Sequence, residues 1–178
     1  MAEAGVPAIS GTAFRMYAES SGSSGQRGSI QTAIAITNAA SSPATVSLEL
    51  TRLDGSPLGT TASLNVTASG QSAKFLSELF PALPNPFQGL VRITTSSSGI
   101  AVAGLRGRYN ERGDFLITNT TPVNEATAPT ITETLFPHFT DSRGYSTQFI
   151  LFNSTPASSS GSLRLVSQNG QTLNLLLR

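Results

Sequence analysis

The feature that most constrains this chain is a period-two alternation of apolar and polar side chains. Ile30, Thr32, Ile34 and Ile36 fall on one side, with Gln31, Ala33, Ala35 and Thr37 on the other. Val46, Leu48 and Leu50 alternate with Ser47, Glu49 and Thr51, and Leu64 and Val66 with Asn65 and Thr67. Val91 with Ile93, Ile100 with Val102 and Gly104, and Phe115 with Ile117 repeat the pattern. Successive side chains of a strand point to opposite faces, so this period describes half-buried antiparallel strands. Strands are predicted over 12–19, 28–38, 44–53, 57–67, 71–75, 88–95, 99–107 and 114–119. Further strands are predicted over 131–138, 144–153, 161–167 and 171–177.

The punctuation agrees. Asp54-Gly55 and Asn169-Gly170 lie between strand-like runs and tolerate the positive φ of a tight hairpin turn. Only Lys74 to Phe80 reads as helical, with Phe75, Leu76, Leu79 and Phe80 on one face and Pro81 and Pro84 stopping it. The expected fold is all-β: an antiparallel β-sandwich of the immunoglobulin-like or Greek-key kind, one end plugged by the short helix.

An offset of 115 residues aligns two segments without a gap. Thr32 to Asn38 falls on Thr147 to Asn153, and Leu48, Leu50, Asp54, Gly55 and Leu58 fall on Leu163, Leu165, Asn169, Gly170 and Leu173. Phe14-Arg15-Met16-Tyr17 matches Phe136-Pro137-His138-Phe139 with a shorter following loop, and Val46 meets Gly161. The reading is a short extension over 1–10, a complete β module over 11–129, and a truncated second β module over 130–178 homologous to residues 12–60. Four strands with one apolar face cannot close a core alone. They are expected to pack on the first module, to be completed by another chain, or to stay exposed and sticky.

Composition narrows function. The 178 residues include no Cys and one His, which excludes thiolate metal sites, a Cys nucleophile and a multi-histidine centre. A net charge of +1 with a single Lys, Lys74, argues against nucleic acid as a partner. No apolar run is long enough to span a membrane. The start, Met1-Ala2-Glu3-Ala4-Gly5, carries no basic-then-apolar leader. Ser and Thr number 25 and 21 while charged residues make up 12%, so hydroxyls rather than Lys and Glu coat the outer strand faces. Such faces carry little protection against edge-to-edge pairing.

Two stretches carry a resemblance. Gly104-Leu105-Arg106-Gly107-Arg108-Tyr109-Asn110-Glu111-Arg112-Gly113-Asp114-Phe115-Leu116-Ile117-Thr118 is one; Leu135-Phe136-Pro137-His138-Phe139 followed by Tyr145 to Leu151 is the other. They resemble the alternating β-sandwich repeat modules of large secreted or surface proteins of acidobacterial soil bacteria. The resemblance implies an extracellular or cell-surface β-repeat array, and brings no catalytic or binding residue with it.

The remaining motifs read plainly. Arg112-Gly113-Asp114 matches the integrin-type tripeptide but reads as a turn whose Gly takes positive φ while Arg and Asp are solvated. Arg106, Arg108 and Tyr109 could bind a surface glycan, a phosphate or a base, with Glu111 and Asp114 cancelling the charge. His138 reads as a packed or half-exposed strand residue rather than a general base or metal ligand. Lys74 is an unpromising donor for an isopeptide bond, being next to Phe75 in the helical run. No nucleophile elbow, calcium loop or catalytic motif is present.

The expectation is therefore a chain that is not an enzyme and needs no cofactor: an extracellular structural or adhesive module that associates with itself. Strand complementation of the second module, head to tail, would build filaments. The candidate contact residues are Ala4, Gly5, Val6, Pro7, Ala8 and Ile9 as donor, and Leu173, Leu175, Leu176 and Leu177 in the last strand. The alternative is a glycan- or surface-binding β-sandwich module using Arg106, Arg108 and Tyr109.

Overall fold

The computed structural model of the chain describes residues 7–127, 133–140, 147–153 and 160–173. The strands are β1 (Ile9–Ser10), β2 (Ala13–Ser21), β3 (Ile30–Asn38), β4 (Ala44–Thr51) and β5 (Pro57–Val66). They continue with β6 (Gln71–Phe75), β7 (Phe87–Thr95), β8 (Ile100–Tyr109), β9 (Phe115–Thr120) and β10 (Val123–Asn124). One helix, α1 (Leu76–Leu79), follows β6. The antiparallel all-β class expected from the alternation is the class the chain adopts. The two-residue strands β1 and β10 carry no period and are not among the predicted ones.

Pairing falls into two sets. One runs β10–β2–β7–β4–β5; the other runs β6–β3–β8, with the far edge of β8 shared by β1 and β9. The sets are hydrogen-bonded into one network where Ser20 and Ser21 of β2 meet Gln31 and Ile30 of β3. Their inner faces share one core: Phe14, Met16 and Ala18; Ile34 and Ile36; Val46, Leu48 and Leu50; Val91 and Ile93; Ile100 and Val102. Burying each large apolar side chain there contributes about 1.5–3 kcal/mol. β2 and β8 do not pair, yet a Cβ on Gly104 would sit 2.5 Å from Met16 Cε. The bare glycine lets the two inner faces close.

The helix is shorter than the predicted 74–80. Phe75 and Lys74 are taken by the ladder to β3, opposite Ala33 and Ile34, so only the next turn is free to coil. The Phe75 N–H donates to Glu78 Oε2 at 2.7 Å, capping that turn, and Leu76 and Phe80 are buried beneath it.

The described residues of 133–173 behave differently from residues 7–127. The described parts of the strands predicted over 131–138, 144–153, 161–167 and 171–177 hold one isolated bridge, Val166 to Thr172, and no strand. That bridge is the counterpart, 115 residues on, of the Thr51–Pro57 pair. The turns match bond for bond. Arg52 N–H donates to Ser56 O at 2.8 Å and Gly55 N–H to Arg52 O at 3.0 Å; Ser167 donates to Gln171 O at 2.8 Å and Gly170 to Ser167 O at 2.9 Å. Gly55 and Gly170 both take the left-handed conformation, at φ 83° and 77°.

The reason lies in the pairing. In the first repeat β2 and β3 barely touch each other; their ladders run to β7 and β8. Among the described residues, no ladder pairs residues 133–140 or 147–153 with another strand. Only the local β4–β5 hairpin has its partner nearby in sequence, and the bridge survives at its counterpart.

Asn38, the residue shared with Asn153 across the repeat, is 1% exposed. Its Nδ2 donates to Ser42 O at 2.8 Å, Thr67 O at 3.1 Å and Val66 O at 3.3 Å, while Oδ1 accepts from Ala40 N–H at 3.0 Å. It ties the end of β3 to two connections. Asn38→Ala orphans these groups and is expected to cost about 3 kcal/mol. Urea denaturation checks this; a loss below about 0.5 kcal/mol would place Asn38 among ordinary surface positions.

Candidate functional site

The three residues singled out as a ligand site do not share a face. Arg106 and Arg108 share the face of β8 that carries Gly104 and Val102, pair with Thr32 and Ile30, and point to the inner side beyond the end of the core. Tyr109 points to the outer side, where its ring meets Phe115 with centroids 4.9 Å apart and planes tilted by 44°. Each Arg already holds a carboxylate. Arg106 Nε donates to Glu19 Oε1 across the gap to β2, and Arg108 pairs with Glu111 at 2.5 Å. Thr32 Oγ1 clamps the same corner, accepting from Glu19 N–H and donating to Glu19 O, both at 2.9 Å. Tyr17 completes the cluster with a 3.4 Å contact to Glu19 Oε2. Burial first, and then the Glu19 carboxylate, push the Tyr17 phenol up to about 12. Arg108 Nε and Ser29 Oγ are buried without a partner, on opposite sides of the sheet by their register.

A second charged cluster, absent from the sequence reading, lies on the outer face of β2 and β7. Arg15 and Arg92 are direct cross-strand partners, an arrangement that is unfavourable without a counter-ion. Glu125, just past β10, supplies it. Its carboxylate accepts from Arg15 Nε at 2.5 Å and from Arg92 Nε and a terminal nitrogen at 2.9–3.1 Å. Burial raises the Glu125 carboxyl, but the Arg92 and Arg15 hydrogen bonds outweigh it and hold the group below its ordinary range. Arg15 also donates to Asn153 O at 3.1 Å, so the second repeat touches this face. Only the strand register, which puts two arginines side by side, could have revealed the need for Glu125.

The remaining motifs find structural places. Arg112-Gly113-Asp114 forms the β8–β9 turn, with Gly113 at φ 89° and Arg112 paired to Asp114 at 3.2 Å. Asn110 Oδ1 accepts from both Arg112 and Asp114 N–H at 2.9 Å. Lys74 pairs with Glu78 at 3.0 Å on the surface. His138 is exposed beside the Phe136–Phe149 ring contact, at the edge of a hollow it shares with Arg164. Among the described residues, no group of three or more His, Cys, Asp or Glu could hold a metal. No helix there is long and apolar enough to cross a membrane.

Of the self-association candidates, Ile9 is paired within its own chain, opposite Val102. Pro7 and Ala8 are exposed. Leu173 N–H donates to Leu165 O at 2.9 Å. Ala4, Gly5, Val6, Leu175, Leu176 and Leu177 lie outside the described residues.

No family model matches the chain, and no curated protein matches it. A search of solved structures finds the crystal structure of Thermotoga maritima 1070, at a TM-score of 0.48 and 12% identity, covering 63% of this chain and 95% of that one.

The Glu125 clasp has a pH signature. A carboxyl lowered in the folded state contributes stability above its unfolded pKa, and that stability is lost as pH falls through the folded value. Glu125→Gln is therefore expected to lose roughly 1–3 kcal/mol near neutrality. The gap to the parent should close in acid, below the ordinary glutamate range. Denaturant titrations at several pH values check it; a gap independent of pH refutes the clasp.

Proposed function

We propose that this chain is a non-catalytic structural or adhesive β-sandwich module, extracellular or on the cell surface, that works by associating with further copies of itself. One observation carries the reading. Phe115, Leu116 and Ile117 are consecutive on β9 and 46%, 49% and 53% exposed, so both faces of that strand offer apolar surface to solvent. Leu135 and Leu151 in the second repeat are 82% and 81% exposed. Apolar surface of this kind marks association sites. The surface-array part of the reading rests on the resemblance of the Gly104–Thr118 and Leu135–Leu151 stretches to secreted repeat modules. Head-to-tail joining through the second repeat would give filaments where the contact does not close.

The glycan-binding alternative has less support. Its residues face two ways, and both arginines are already engaged with carboxylates. Sedimentation velocity of the purified chain over a wide concentration range is the test. Association that grows with concentration is expected. A strictly monomeric species, combined with glycan-array binding that Tyr109→Ala abolishes, would replace this reading with the alternative.

A further inference from the structure

We propose that β9 pairs edge to edge, antiparallel, with β9 of a second copy about a two-fold axis through Ile117. The proposal rests on the self-association reading and names for it one closed, two-fold contact in place of head-to-tail joining.

Among the described residues β9 has a strand neighbour on one side only, β8. Which of its backbone groups are free follows from the hairpin. Asn110 N–H donates to Asp114 O at 3.0 Å, making 110 and 114 a hydrogen-bonded pair. Tyr109 sends its N–H to Ser29 O and receives Gly28 N–H, both on the β3 side, so 109 and 115 are not bonded to each other. Antiparallel ladders alternate between the two kinds of pair. Phe115, Ile117 and Asn119, opposite Tyr109, Gly107 and Leu105, therefore aim their N–H and C=O groups at the open edge.

Symmetry then selects a register. A two-fold normal to the sheet keeps each side chain on its own face, so it can centre on a residue but not between residues. Centring on Ile117 sets Ile117 against Ile117 and Phe115 against Asn119 of the second copy. All three outward-pointing residues of each copy are then bonded, giving six hydrogen bonds. Centring on Leu116 or Thr118 uses two residues per copy and gives four.

Charge and side chains fit this arrangement. Residues 115–120 carry no charge. Asp114 comes opposite Thr120 of the second copy rather than its own equivalent, and it is already paired with Arg112. The side chains of Phe115 and Ile117 lie on the outer face, which continues through Gly107 and Leu105 to Ala33 and Ala35 without a charge. The other open edges suit pairing less well. β6 carries Lys74, and β5 is broken by Gly59 at φ 73° and by a register shift opposite Glu49 to Thr51.

The chain has no Cys, so one introduced thiol reports one contact. A hydrogen-bonded antiparallel pair has Cα atoms about 5.5 Å apart, within disulfide reach. Under mild oxidation Ile117→Cys is expected to form a covalent dimer well above the level of Leu116→Cys or Thr118→Cys alone. Mixing the last two should restore cross-linking, since 116 meets 118 of the second copy. Ile117→Lys sets like charges face to face and should leave a folded monomer in sedimentation, with its circular dichroism unchanged.

Cross-linking that is indifferent to position, or association that survives Ile117→Lys, overturns the β9 contact and leaves self-association standing. A parent chain that is monomeric at every concentration overturns both.

Discussion

The ladder between β3 and β8 is the interaction on which the rest of the structure depends. It runs the full length of β3, from Ile30 opposite Arg108 to Asn38 opposite Ile100. It brings Ile34 and Ile36 beside Gly104 and Val102 on the core side. Its partner ladder, β2 to β7, does the same for Phe14 and Met16 beside Ile93 and Val91. Both join an early strand to one that arrives some fifty or more residues later, so the core closes only when the whole first repeat is present. Topologies dominated by such non-local pairing pay their loop-closure entropy before any contact repays it.

The segment over 133–173 shows the same constraint from the other side. Its sequence alternates as β2 to β5 do, yet the described residues keep only the hairpin turn and the Val166–Thr172 bridge. Alternation prepares a strand to bury one face; it does not supply the strand it must pair with. Leu135 and Leu151 stand exposed.

Scarce charge is used economically. Glu125 serves two arginines, Glu19 serves Arg106 and Tyr17, and Glu78 both caps α1 and pairs with Lys74. Little charge is left to guard open edges. β9 has none, and its apolar residues Phe115, Leu116 and Ile117 stand about half exposed. The Arg112-Gly113-Asp114 sequence is likewise accounted for locally, since it closes the hairpin that presents β9.

Period and turn chemistry determined a good deal by themselves. They placed the eight longer strands of the first repeat, put Ile34, Leu48 and Val91 on inner faces, and located the turns at Gly55 and Gly170, because side-chain direction and positive φ are properties of a few adjacent residues. They also set Arg106 and Arg108 on one strand face, opposite Leu105. Tertiary structure alone decided which strands are neighbours. It turned Tyr109 away from the two arginines, set Arg15 beside Arg92 so that Glu125 had to join them, drew Ile9 into the β8 edge, and left β9 with one edge unpaired. Each of these is a register between segments far apart in the chain. A register is fixed by the closing of a shared core, and no local pattern encodes it.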